Sequence, residues 1–187
     1  MRVIAGTARR TVLVTPEGAG TRPTTDRIKE TLFNILAPTL ADASFLDLFA
    51  GSGGIGIEAL SRGAREAVFA DRDSEASRGI RENLERTKLS NRAQVYPQDA
   101  LSVLRRLESR HAAFDFIFLD PPYETGLLKN ALECIAKFDI LSDHGIILCE
   151  SSVTEALPEL PEPYQMGRVY RYGKIKITAY EKNLPVL

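Results

Sequence analysis

From residue 45 onward, short apolar runs alternate along the chain with amphipathic stretches. Five runs read as strands: Phe45–Phe49, Ala67–Ala70, Ala93–Tyr96, Phe114–Leu119 and Gly145–Cys149. Between them the apolar residues fall at helical spacing. Ile57–Leu60 leads to a stop at Gly63, and Ala76, Ile80 and Leu84 fall at i, i+4, i+8. Leu101, Leu104 and Leu107 fall at i, i+3, i+6, and Leu128, Leu132, Ile135 and Ala136 form a fourth stripe. Strand and helix in alternation predict an α/β fold, with a mostly parallel sheet covered by helices on both faces.

The pattern differs at the two ends. RVIAG and TVLVTP alternate as two short strands of a hairpin, and Gly18, Gly20 and Pro23 then break the pattern. Thr24 or Thr25 caps a helix through about Leu36, and Pro38 ends it. Residues 1–38 therefore read as an N-terminal extension, and residues 39–187 as the main domain. Near the other end, a proline-rich connector at 158–164 precedes Met166–Tyr172 and Ile175–Tyr180, joined at Gly173. That predicts an antiparallel hairpin closing the sheet.

Composition narrows the class. A chain of 187 residues, 44% of them hydrophobic, is long enough for one domain with a real core. No apolar run approaches the ~20 residues of a membrane-spanning helix, and the N-terminus lacks the apolar core of a secretory signal. Cys134 and Cys149 form no CxxC pair, which fits a reducing, cytoplasmic setting. His111 and His144 lack metal-ligand spacing, so no metal site is expected. The net charge of −1 is unevenly spread. Residues 1–29 carry six basic side chains (Arg2, Arg9, Arg10, Arg22, Arg27, Lys29) against Glu17 and Asp26, and a second basic group follows at Arg168, Arg171, Lys174 and Lys176. Such asymmetry steers a polyanion even when the global charge is near zero.

Four motifs carry chemistry. FLDLFAGSGGIG, residues 45–56, runs a strand into Gly51, Gly53 and Gly56 before a helix. A loop of this kind lets backbone approach a ligand closely, and its spacing satisfies GxGxxG. Asp71 ends the second apolar run, 20 residues after Gly51, where an acid accepts hydrogen bonds from ribose hydroxyls. Asp99 follows the third run; it is placed to receive an adenine amino group, to cap the next helix, or both. The fourth motif decides the reading: Asp120-Pro121-Pro122-Tyr123 follows the fourth strand, at the carboxyl edge where open α/β sheets bind ligands. Two prolines fix the backbone and remove two N–H donors, which leaves acceptors for a planar exocyclic amine. Tyr123 adds a flat face on which a base stacks.

Taken in order, the Asp47–Gly56 loop, Asp71, Asp99 and DPPY resemble the motifs of class I S-adenosylmethionine-dependent methyltransferases acting on amino groups. The chain is closer still to the bacterial 16S ribosomal RNA guanine-N(2) methyltransferases. MRVIAGTARR, TRPTTDRIKETLFNIL, DLFAGSGGIGIEALSRGA, FLDPPY and RYGKIKI resemble that family's blocks across nearly the whole chain, departing from its pattern at Lys174–Lys176. The resemblance implies a Rossmann-like seven-stranded sheet with an antiparallel C-terminal hairpin, and S-adenosylmethionine as cofactor. It assigns the methionine end of the cofactor to Asp47 and to the backbone of Ala50, Gly51 and Gly53. Asp71 takes the ribose, Arg72 beside it also binds the cofactor, and Asp99 with Ala100 takes the adenine. Asp120, Pro121 and Tyr123 meet the target guanine, and Arg9, Arg10, Arg22 and Thr24 grip RNA. It further implies 16S ribosomal RNA in an assembling small subunit as partner, and a monomeric enzyme.

Other functions stay open at this stage. DPPY is shared with DNA adenine methyltransferases, although those normally carry a separate target-recognition domain. Methylation of a protein amide or a small molecule would use a similar acceptor turn. A nicotinamide-dependent oxidoreductase accounts for GxGxxG but not for DPPY. A catalytically silent RNA-binding factor would not need acids at every cofactor position.

Overall fold

The computed structural model describes residues 1–15 and 26–184. Arg22, Thr24 and the cap expected at Thr24 or Thr25 lie outside the described residues. The chain divides into two compact units, one of Met1–Asp99 and one from Ala100 onward.

The first unit contains α1 (Asp26–Leu36), β1 (Ser44–Asp47), α2 (Gly54–Ser61), β2 (Glu66–Ala70), α3 (Ser74–Thr87) and β3 (Ala93–Tyr96). Its strands run parallel in the order β3-β2-β1, with Phe45 opposite Ala67 and Val68 opposite Gln94. All four residues of β1 are buried, as are Ala67–Ala70 of β2. That is why these runs read as continuously apolar instead of alternating. Ile80 and Leu84 of α3 are buried as the periodicity predicts.

The second unit contains α4 (Ala100–Glu108), β4 (Phe114–Leu119), α5 (Leu127–Phe138), β5 (Leu141–Ser152), β6 (Tyr164–Tyr172) and β7 (Ile175–Lys182). Its strand order is β4-β5-β7-β6. β4 and β5 are parallel, while β7 runs antiparallel to both β5 and β6. The β6–β7 turn passes through Gly173 at φ +60°. The described residues thus carry seven strands of a mixed, mostly parallel sheet.

Two elements differ from the sequence reading. β5 starts at Leu141, four residues before Gly145, through the polar run Ser142–His144 that broke the apolar pattern. The N-terminal hairpin shrinks to a single antiparallel bridge between Arg2 and Val12. Val3 N to Thr11 O, Arg10 N to Val3 O and Leu13 N to Met1 O still join its two arms, but the amides of Ile4, Ala5 and Ala8 bond elsewhere. Ile4 N donates to Glu58 Oε2 at 2.8 Å and Ala5 N to Glu58 Oε1 at 2.9 Å. Ser61 Oγ accepts from Ala8 N and donates to Ala5 O. Side chains of α2 thus supply the partners that a sister strand would otherwise provide.

Candidate active site

The first unit builds a glycine loop from the exit of β1. Gly51 (φ +53°) and Gly53 (φ +75°) both occupy the left-handed region, which strains any side chain. A Cβ at Gly51 would meet nothing within 4 Å, so that side of the loop is open. Within the loop, Gly53 N donates to Ala50 O at 2.7 Å. The loop is tied to the neighbouring strand twice: Ala50 N donates to Ala70 O at 2.9 Å, and Gly51 N donates to Asp71 Oδ2 at 2.8 Å. Asp73 N donates to the other oxygen, Asp71 Oδ1, at 2.9 Å. Asp71 and Gly51, singled out separately in the sequence, are therefore in direct contact. Arg72 and Asp99 lie exposed beyond β2 and β3.

Asp47 is placed differently from its neighbours. It is 2% exposed and accepts from Gly56 N at 2.9 Å, inside the first turn of α2. Burial pushes its carboxyl up to about 7; the Gly56 N–H opposes this shift, and the negative charge of Asp71 adds to it. A Cβ at Gly56 would collide with the buried Phe69 ring, so that helix turn approaches β2 only because the residue is glycine. The raised pKa has a sign that can be tested. The unfolded chain loses the Asp47 proton near 3.8 and the folded chain near 7, so stability is lost as pH rises through that window. Between roughly pH 5 and pH 8, Asp47→Asn should gain about 1–4 kcal/mol relative to the parent, read by urea unfolding at each pH. A pH-independent difference would contradict the placement of Asp47.

A second support for the loop is absent from the sequence reading. Asn83 is fully buried on α3; its Nδ2 donates to Ser52 O and Val14 O, both at 2.9 Å, and its Oδ1 accepts from Val14 N at 2.7 Å. The available signal was a polar residue on the apolar face, three positions from Ile80 and seven from Ala76.

In the second unit, β4 ends at Leu119 and the next four residues form the Asp-Pro-Pro-Tyr corner. Pro121 is buried and Pro122 exposed. The Pro122 carbonyl accepts from Thr125 Oγ1 at 2.8 Å, so this acceptor serves the turn itself. Tyr123 is 41% exposed, yet its hydroxyl is fixed, donating to Glu150 Oε1 at 2.7 Å. Glu150, 6% exposed on β5, is a second residue that sequence reasoning missed. Its signal was an acid directly after the apolar run Gly145–Cys149. Ala100 opens α4. In the N-terminal segment, Arg9 and Arg10 are exposed, with Arg10 at φ +72°, and neither forms an ion pair among the described residues.

The profile of the family described as conserved hypothetical protein 95 matches residues 1–181. The chain belongs to that family. A Bacillus subtilis (strain 168) relative, YlbH, which carries the words rRNA methyltransferase in its name, is 42% identical over 97% of this chain and 99% of its own length. The ribosomal RNA small subunit methyltransferase D of Escherichia coli (strain K12) is 38% identical over 97% of this chain and 90% of its own. The solved structure of yhhF from Escherichia coli, whose name carries the word methyltransferase, is 37% identical with a TM-score of 0.87, covering 97% of both chains. Membership of the conserved hypothetical protein 95 family thus extends over both units, and the Asp71-tied glycine loop and the Asp-Pro-Pro-Tyr corner both fall inside the matched residues.

Proposed function

We propose that this chain transfers a methyl group from S-adenosylmethionine to the exocyclic N(2) amine of a guanine in small-subunit ribosomal RNA. The observation that carries the reading is the corner after β4. A half-exposed aromatic ring is held by a buried carboxylate, beside an aspartate and a proline that has no N–H to offer. A flat ring and acceptors side by side suit a planar base with an exocyclic amine. The names of the 38–42% identical relatives support ribosomal RNA as the substrate.

The first unit fits the cofactor. The open face of Gly51 leaves room for a ligand against bare backbone, and Asp71 adjoins it. Two acids around one loop, with Asp47 raised partly by Asp71, suit a cationic ligand whose charge relieves their repulsion. S-adenosylmethionine supplies, when bound, a methyl group on a positively charged sulfonium. The backbone of Ala50–Gly53 holds its methionine end, with Asp47 bracing α2 behind the loop. Asp71 holds the ribose, Arg72 beside it also binds the cofactor, and Asp99 with Ala100 holds the adenine.

The chain's other residues act on the acceptor. A guanine amine is a poor nucleophile because its lone pair is delocalised into the ring. The Asp120 carboxylate and the Pro121 carbonyl accept hydrogen bonds from its two N–H groups and favour a pyramidal nitrogen; as the nitrogen takes the methyl group it loses one proton, to Asp120 or to water. Tyr123 stacks on the unstacked base, an interaction worth about 1–3 kcal/mol. Orientation of this kind supplies on the order of 7 kcal/mol or more of rate enhancement. Residues 1–38 act as the RNA-facing extension and residues 39–187 as the methyltransferase domain.

Incubating the protein with labelled S-adenosylmethionine and either purified small subunits or free 16S ribosomal RNA tests this reading. Label should enter the RNA of at least one substrate; no transfer to either overturns it. Arg9 and Arg10 give a second test. Replacing both with alanine should weaken RNA binding about three- to tenfold at ~0.1 M salt and reduce the salt slope by roughly 1.4. An unchanged slope removes these arginines from the RNA grip.

A further inference from the structure

The C-terminal hairpin carries a charged surface that the reading above leaves unassigned. From Met166 to Tyr180 the chain holds Arg168, Arg171, Lys174 and Lys176 and no acid, although its net charge is −1. Lys176 Nζ bonds to the Glu155 carbonyl, a local structural role. Arg168, Arg171 and Lys174 are exposed, and among the described residues none of them forms an ion pair. Met166 and Val169, 44% and 41% exposed, lie on the same outer strand.

The strand register places this surface. β4 leaves the sheet after Leu119, which pairs with Cys149 of the parallel β5. Ser152, three residues further along β5, pairs with Ile175, and Ile175 pairs with Tyr172. The hairpin turn and the Asp120–Tyr123 corner therefore leave the second unit at the same end. They lie two to three strand spacings apart, on the order of 10–15 Å. Glu150, which holds Tyr123, pairs with Ile177, and Ile177 pairs with Tyr170. A cross-strand row thus links the anchor of the aromatic platform to the outer strand.

We propose that the β6–β7 hairpin is a second RNA-binding surface, on which Arg168, Arg171 and Lys174 hold phosphates of the strand flanking the target nucleotide. The inference rests on the ribosomal RNA reading above. Its chemistry is that of a polyanion site: exposed cations that form no ion pair among the described residues, one end on the side where the base-stacking ring leaves the sheet, with Tyr170 and Tyr172 flanking Arg171 along β6. Charged edge residues also serve to block strand-to-strand aggregation. That bland role predicts no change in RNA affinity.

The test compares the parent with R168A/R171A/K174A and with the charge-preserving R168K/R171K/K174R, using a small-subunit ribosomal RNA fragment containing the methylated site. The alanine variant should bind RNA about tenfold or more weakly at ~0.1 M salt, with a salt slope shallower by roughly 2. Its KM for RNA should rise while kcat at saturating RNA and S-adenosylmethionine affinity by calorimetry stay unchanged, and the charge-preserving variant should restore binding. Parent-like RNA affinity and slope in the alanine variant, with methylation intact, overturn the hairpin proposal and leave the methyltransferase reading standing. Parent-like affinity for naked RNA with impaired methylation of intact subunits assigns the surface to a ribosomal protein and also overturns it. Failure of the parent protein itself to methylate ribosomal RNA defeats the underlying reading instead.

Discussion

Asp120→Ala is expected to lower kcat for RNA methylation by about 10²–10⁴-fold, the range associated with loss of a positioned proton acceptor. Cofactor affinity should change little, because the residues assigned to the cofactor lie in the glycine loop, at Asp71–Arg72 and at Asp99–Ala100. The separation is sharp because the corner offers few substitutes. Pro121 and Pro122 donate nothing, and the Pro122 carbonyl already accepts from Thr125. Asp120→Asn keeps the shape and one acceptor oxygen but adds an NH₂ donor facing an amine that is itself a donor, so it should rescue poorly. The measurement is single-turnover methyl transfer alongside calorimetric S-adenosylmethionine titration. Parent-like transfer by Asp120→Ala would remove this carboxylate from the chemistry, and loss of cofactor affinity would relocate it to the cofactor.

Glu58→Ala should cost about 3–5 kcal/mol of stability, the usual result of removing one partner from a buried ion pair. Glu58 and Lys29 are both 0% exposed, with Lys29 Nζ 3.1 Å from Glu58 Oε2. Arg62 Nε approaches Glu58 Oε1 at 2.8 Å, and the Ile4 and Ala5 amides complete the set. Burial alone would raise the Glu58 carboxyl. The Ile4 amide, Lys29 and Arg62 outweigh it and hold the carboxyl below 4.5, so this contribution is present above that pH and lost as pH falls through the lowered value. Alanine leaves the Lys29 ammonium buried and two backbone amides without acceptors. Against a typical total of about 5–15 kcal/mol, such a loss brings the fold near its limit. Urea unfolding measures the loss, and hydrogen exchange at Ile4 and Ala5 reports release of the N-terminal segment. A change under about 1 kcal/mol would contradict a fully desolvated pair.

The sheet and the chemical corner were legible in sequence because both are local signals. Short buried runs of a parallel sheet are apolar on both faces, so β1, β2 and β4 announced themselves within a residue or two, and the edge strand β3 followed from its β-rich run Ala93–Tyr96. Asp120–Tyr123 follows such a run directly. What escaped detection has its partner far along the chain. Glu58 meets Ile4 across 54 positions, Asn83 meets Val14 across 69, and Tyr123 meets Glu150 across 27. Periodicity states which side of a helix is buried; it does not state which distant amide a buried polar group will satisfy. The same gap explains the N-terminal hairpin. Alternation there was real, but the amides of Ile4 and Ala5 found a carboxylate on α2 instead of a sister strand. β5 shows the converse: Leu141 already pairs with Phe114 ahead of the polar run, and Ser142–His144 fall in the register shift before Ile146 pairs with Phe116, so their polarity interrupts the apolar pattern without ending the strand.

The central claim is that an acceptor corner beside a stacking ring presents a guanine amine for methylation. Complete digestion of ribosomal RNA methylated by this protein, followed by mass spectrometry of the nucleosides, measures it most directly. N(2)-methylguanosine is the predicted product. N(6)-methyladenosine, or a methyl group on ribose or on a ring carbon, would contradict the account.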